Sequence, residues 1–121
     1  VKRGESVYAA NCAACHQADG SGSADGTTPV IAGQHVSVLV KQMVDFRHDR
    51  RWHARMREAA KQHELAGAQD ILDVASYAAG LRRPPPREGG TGDGKSLHEG
   101  QVVYYRECAA CHGRLGEGDL R

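Results

Sequence analysis

The sequence predicts an all-α protein: a small helical domain followed by the start of a second domain of the same kind. Three observations carry this reading. The pentapeptide Cys12-Ala13-Ala14-Cys15-His16 recurs letter for letter as Cys108-Ala109-Ala110-Cys111-His112, and the two copies use every cysteine in the chain. Apolar residues recur at helical spacing over 36–46 and 68–81. Between the second of these segments and the second pentapeptide lies a stretch rich in proline and glycine that no helix or strand accommodates.

Two cysteines separated by two residues and followed directly by histidine form the attachment signature of haem c. The thiols add to the two vinyl groups of one porphyrin as thioethers, and the histidine turns its imidazole onto the iron as proximal ligand. Zinc binding by two C-x-x-C units and a thioredoxin-like dithiol are the competing chemistries. Neither requires a histidine after the second cysteine in both copies. Two covalent haem c groups are therefore expected, one on Cys12, Cys15 and His16 and one on Cys108, Cys111 and His112, with His16 and His112 as iron ligands. Such a chain is expected to move electrons.

The repeat reaches beyond the pentapeptide. Gly4, Val7, Tyr8, Gly20 and Gly22 recur at the same offset as Gly100, Val103, Tyr104, Gly116 and Gly118. The expected organisation is a first haem domain over 1–82, a Pro/Gly-rich linker over 83–95 and the N-terminal, incomplete part of a second haem domain over 96–121. In the linker, Pro84-Pro85-Pro86 favours an extended polyproline form, and Gly89, Gly90, Gly92 and Gly94 loosen the remainder.

At 40% hydrophobic and 26% charged residues, the composition is that of a globular chain. A domain this small has a limited core, and a buried porphyrin would supply apolar area. No run approaches the roughly eighteen apolar residues of a membrane span. A formal net charge of +1 is no nucleic-acid footprint, so no nucleic-acid partner is expected. Thioether attachment needs a translocated chain with reduced thiols, which points to the periplasm. No charged-then-apolar leader precedes the first motif, so any signal peptide is expected to have been removed.

The elements follow in order. A helix from about Glu5 to Asn11 puts Val7 and Tyr8 on one face ahead of the first attachment motif. Residues 17–28, rich in Gly, Ser and Asp, form a loop. Pro29 to Gln34 makes a turn. From Val36 to about Phe46, the residues Val36, Leu39, Val40, Met43 and Val44 share a helical face, and Met43 is expected in the core. Arg47 to Arg57 reads as a polar, basic segment. A last helix from about Ala68 to Leu81 packs through Ile71, Leu72, Ala75, Ala78 and Ala79, and the prolines after Arg83 prevent its continuation.

The block Gly4, Tyr8, Cys12, Cys15, His16, the stretch Pro29-Val30-Ile31-Ala32-Gly33-Gln34-His35, the run Lys41-Gln42-Met43 through Phe46 and Arg47, and the segment Asp70 to Leu81 together resemble a class I c-type cytochrome, and more closely the two-haem cytochrome c4 family. The resemblance covers the first domain and the opening of the second. It implies the class I cytochrome c fold, with the Pro29 carbonyl accepting the free ring N–H of His16. It also implies a methionine as sixth iron ligand from the loop between the last two helices, which raises the reduction potential. Of the two methionines, Met56 falls at that position. The prolines and small residues usual before it are replaced by His53, Ala54 and Arg55, so His53 or His63 competes as a bis-histidine ligand. His35, His48 and His98 are expected to be solvated. Arg47, Arg50, Arg51, Arg55 and Arg57 outnumber Asp45, Asp49 and Glu58, and are read as a solvated surface, as propionate partners or as a dock for an acidic partner.

No methionine follows Met56, so the second haem lacks a same-domain methionine in this sequence. A fragment of a longer two-haem protein is the expected reason, with a half supplied by another chain or an open iron as alternatives. The resemblance implies a periplasmic carrier, not itself an enzyme, that shuttles electrons between a donor complex and a terminal oxidase or reductase. The alternative is a haem-bearing electron-transfer subunit or domain of a dehydrogenase acting on thiosulfate, sulfide or an alcohol.

Overall fold

A computed structural model describes residues 2–85 and 94–118, and every described element is helical. The chain divides into two units, one ending at Pro85 and the other starting at Pro86. Most of the expected linker, 86–93, lies outside the described residues.

In the first unit, helix α1 spans Lys2–Asn11, α2 Ala13–His16, α3 Val36–Arg47, α4 Ala54–Ala60 and α5 Ala68–Gly80, with a 3₁₀ turn at His63–Leu65 between α4 and α5. Helices α1 and α3 both pack on α5, and α4 packs on α3. The core consists of Val7 and Tyr8 from α1, Leu39 from α3, Leu65 from the 3₁₀ turn, and Ile71, Val74, Ala75 and Ala78 from α5. Burying such side chains stabilises by roughly 25 cal/mol per Å² of apolar surface removed from water.

The α1–α5 contact depends on Gly4. A Cβ at this position would sit 2.2 Å from the Asp73 carbonyl oxygen and 2.8 Å from its carbon, so only glycine lets the backbones approach this closely. Tyr8 then meets Tyr77 with ring centroids 5.3 Å apart in a tilted arrangement. At the start of α5, Asp70 accepts the Gly67 amide at 3.0 Å and Arg3 Nε at 2.8 Å, which ties the N-terminus of α5 to α1. The Arg3 guanidinium bond, the first cause, holds the Asp70 carboxyl below its usual range.

Three expectations are corrected. Leu72 is exposed, and Val74 takes its place in the core. The buried set on α5 is Ile71, Val74, Ala75 and Ala78, a stripe at i, i+3, i+4 and i+7, and Leu72 lies one residue round from it. The first helix begins at Lys2 rather than near Glu5. The segment before the last helix, read as polar and irregular, contains α4 and the 3₁₀ turn. Ala54-Arg55-Met56-Arg57-Glu58-Ala59-Ala60 is built of strong helix formers, and it holds no proline or glycine to interrupt it. Met43 is half-buried on α3 and packs against the core.

The second unit contains α6, Leu97–Glu107, and α7, Ala109–His112. Neither has a buried residue. Val103 is 47% exposed where its counterpart Val7 is 5% exposed, and Gly100, the counterpart of Gly4, has nothing within 4 Å of a would-be Cβ.

Candidate functional site

Cys12 ends α1 as its amide donates to the Tyr8 carbonyl at 2.8 Å, and the chain turns at once into the single turn of α2. Within that turn the amides of Cys15 and His16 both reach the Cys12 carbonyl, at 3.2 and 2.9 Å. The two cysteines and the histidine are thus presented on one tight turn. All four cysteines of the chain are free thiols. Cys12 is half-buried and Cys15 exposed; burial first, and Cys15 second, push the Cys12 thiol up to about 11.

His16 is the one buried histidine among the described residues, at 6% exposure. Its Nδ1 lies 3.0 Å from the Pro29 carbonyl oxygen. A carbonyl oxygen only accepts, so Nδ1 carries the proton and the Nε2 lone pair is left for a metal. The partnership also orients the ring.

The loop that brings Pro29 here is closed at several points. The Gly22 amide donates to the His16 carbonyl at 3.0 Å, and the amides of Ile31 and Ala32 donate to the Gly20 carbonyl at 2.9 and 3.1 Å. Gly22 has φ +72°, and a Cβ there would fall 2.3 Å from the Thr28 oxygen and 2.8 Å from the Pro29 oxygen. Without glycine at 22 the carbonyl that faces His16 would be displaced. Asp25 braces the loop by accepting the Ser23 hydroxyl and the Thr27 amide and hydroxyl, and these bonds hold its carboxyl down at about 2. The Gly33 amide reaches the Ala78 carbonyl at 3.1 Å, docking the turn on α5.

A further constraint escaped sequence reasoning. The Tyr8 hydroxyl donates to the Gln17 carbonyl at 2.7 Å, across the attachment turn, and Gln17 sits at φ 70° and ψ 160°, a region populated mainly by glycine. The signal was present in the repeat, because the second copy carries tyrosine at 104 and glycine at 113. There Tyr104 donates to the Gly113 carbonyl at 2.6 Å, and Gly113 has φ 81° and ψ 160°.

The second attachment turn reproduces the first bond by bond. Cys108 donates to Tyr104 at 2.8 Å, Cys111 and His112 donate to Cys108 at 3.2 and 2.9 Å, and Gly118 donates to His112 at 2.7 Å. His112 is exposed, and no side-chain hydrogen bond holds it among the described residues.

Met56 lies in the first turn of α4, half-buried, rather than in an irregular loop. His53 caps that helix from an extended backbone, and its Nδ1 accepts the Met56 amide over a long 3.4 Å. His53 and His63 are exposed, as are His35, His48 and His98. The arginines divide. Arg57 pairs with Asp49 at 2.5 Å and lies 5.7 Å from the centroid of Trp52, itself 69% exposed. Arg51 donates to Gln42 at 2.5 Å and covers the Phe46 ring. Arg50 approaches buried Asp45 at 4.0 Å, beside Lys41. Arg47 turns inward. Arg55 has no recorded partner among the described residues. The basic segment is therefore largely engaged within the domain.

The donor set fits a covalently held haem: two free thiols on one turn, an adjacent buried imidazole in the Nδ1–H tautomer, and a thioether in the first turn of α4, which packs on α3. Comparison with known proteins agrees with that chemistry. The cytochrome c family model matches residues 1–81. The chain is 31% identical to a cytochrome c4 of Thiocapsa roseopersicina over 93% of its own length and 58% of the relative's. It is also 31% identical to a cytochrome c4 of Azotobacter vinelandii, over 92% and 57%, and to a thiosulfate dehydrogenase electron acceptor of Stutzerimonas stutzeri, over 95% and 55%. The chain thus spans a little over half the length of these three relatives.

Proposed function

Since the chain belongs to the cytochrome c family, we propose that it is an electron carrier holding two haem c groups, one on each attachment turn. A bound haem supplies an iron that cycles between ferric and ferrous states with no bond made to a substrate. The chain's own residues bind and orient it. Cys12 and Cys15 anchor the first porphyrin, Pro29 holds His16 with Nε2 available, and Met56 offers a thioether that favours the ferrous iron. Cys108 and Cys111 anchor the second porphyrin, and His112 is its proximal iron ligand. The observation that carries this reading is the buried His16 with its Nδ1 3.0 Å from the Pro29 carbonyl, directly after Cys15 and four residues after Cys12 on the same turn.

No helix among the described residues is long and apolar enough to cross a membrane. The need of thioether attachment for a translocated chain with reduced thiols supports a periplasmic carrier working between a donor complex and a terminal oxidase or reductase. The names of two relatives, a thiosulfate dehydrogenase electron acceptor and the FixP subunit of a cbb3-type cytochrome oxidase, favour protein redox partners. They also keep in view the second reading, a haem-bearing subunit of a thiosulfate-, sulfide- or alcohol-oxidising enzyme.

Voltammetry of the haem-loaded chain on a carboxylate-terminated electrode tests whether the chain is a carrier with no turnover of its own. A carrier gives reversible one-electron waves that do not change when thiosulfate, sulfide or ethanol is added. A catalytic current with any of these would overturn the carrier assignment.

A further inference from the structure

The five arginines of 47–57 look alike in sequence, but Arg47 differs from the rest in what it touches. It is the last residue of α3 and is half-buried. Its Nη1 donates to the Ala60 carbonyl at 3.1 Å and to the Leu65 carbonyl at 2.8 Å. Ala60 is the last residue of α4, so its carbonyl is one of those a helix end leaves without an intrahelical partner. Leu65 closes the 3₁₀ turn. Both residues are buried, at 1% and 0% exposure, and no other bond to either carbonyl is recorded among the described residues.

One guanidinium on α3 thus holds both ends of residues 60–65 and fastens the C-terminus of α4. A positive group there also complements the negative end of the helix dipole. The anchor point is itself fixed. The His48 amide caps α3 on the Val44 carbonyl, and the amides of Arg50 and Arg51 both return to the Asp45 carbonyl, at 2.9 and 3.2 Å. Helix α4 is only two turns long and begins with the long His53 cap, so its own hydrogen bonds give it little independent stability. What keeps it in place is its packing on α3, the Arg57–Asp49 pair near its middle and the Arg47 bonds at its C-terminus.

We propose that Arg47 is a positioning residue for the sixth ligand of the first haem: by fastening α4 and the 3₁₀ turn to α3, it holds the Met56 thioether on the iron against dissociation. This rests on the reading of Met56 as that ligand. Loss of the guanidinium strands two buried carbonyls and frees the segment, so the protein spends more time with Met56 released and the iron open. Lysine has the charge, but its shorter side chain does not bring its ammonium to the position from which Nη1 reaches both carbonyls, and it restores the hold only in part.

The test uses imidazole as an external ligand that binds the ferric iron of the first haem only when Met56 leaves, in a chain whose Cys108 and Cys111 are replaced by alanine so that the second iron, which has no methionine in this sequence, does not contribute. In the haem-loaded chain, Arg47→Met is expected to bind imidazole roughly tenfold to a hundredfold more tightly than the parent, the scale of lost charge-assisted hydrogen bonds, with Arg47→Lys in between. Arg3→Met, which removes the α1–α5 tie without touching α4, serves as the control for general destabilisation and is expected to leave imidazole affinity within about twofold. Unchanged affinity in both Arg47 variants, or an equal rise in Arg3→Met, would overturn the proposal. Where Arg47→Met does not fold, Arg47→Lys against Arg3→Met decides. Met56→Ala separates the two layers: if it alters neither the sulfur-to-iron absorption band nor imidazole affinity, the ligand reading itself fails and the positioning role goes with it.

Discussion

Met56→Ala is expected to abolish the sulfur-to-iron charge-transfer band of the ferric first haem. It should also lower that haem's reduction potential by on the order of 0.1 V, within the roughly 0.8 V that axial ligands span. The thioether is a soft, neutral donor that favours ferrous iron, and alanine has nothing to offer in its place. The structure limits what could substitute. Met43 is packed against the core from α3, while His53 and His63 stand exposed on the segment that carries Met56. Recruitment of either histidine would give a low-spin haem without the band and at lower potential. Persistence of the band would transfer the ligand to Met43, the only other methionine.

Gly4→Ala is expected to destabilise the first unit by about 2 kcal/mol, overpacking of 1–3 kcal/mol or more outweighing the modest gain from alanine in a helix. The new methyl would have to share space with the Asp73 carbonyl, a backbone group that cannot swing aside. For a domain this size the unfolding midpoint should fall by on the order of 10 °C. The same substitution in the second copy, Gly100→Ala, meets nothing within 4 Å and should leave the midpoint unchanged or slightly higher. Thermal unfolding followed by circular dichroism checks the pair, and equal effects at the two positions would contradict the packing described.

Much of the fold was legible because it is written in periodicity and repetition. The apolar stripes of 36–46 and 68–81 gave α3 and α5 nearly to the residue, and the recurrence of Gly4, Val7 and Tyr8 at 100, 103 and 104 marked two copies of one entry helix. Leu72 was misplaced because two adjacent apolar residues cannot both face one neighbour, and only the packing partner selects between them. Helix α4 escaped because its apolar side is small: alanines and one methionine among arginines give a propensity signal but no strong stripe.

At the site, the attachment turns could be read from five letters, since the chemistry dictates the spacing. The Tyr8–Gln17 and Tyr104–Gly113 bonds were present in the repeat only as coincident tyrosines, because a side-chain bond to a backbone carbonyl leaves no motif of its own. Arg47 was indistinguishable by composition from Arg50, Arg51, Arg55 and Arg57. Its role follows from standing at the last residue of α3, the helix on which α4 packs, within reach of the Ala60 and Leu65 carbonyls, information that exists only once α4 is known to be there.

The most direct test of the account is the intact mass of the chain, matured in a haem-attaching periplasm and measured under denaturing conditions. Thioether-bound haem stays with the polypeptide when the fold is lost, so the mass counts attachment events without reference to spectra or ligands. The account predicts the mass of residues 1–121 plus two haems, falling to one when Cys12 and Cys15 are both replaced by alanine. A parent chain carrying no haem, or a double variant that carries as many haems as the parent, would contradict the assignment of the first turn as a haem anchor.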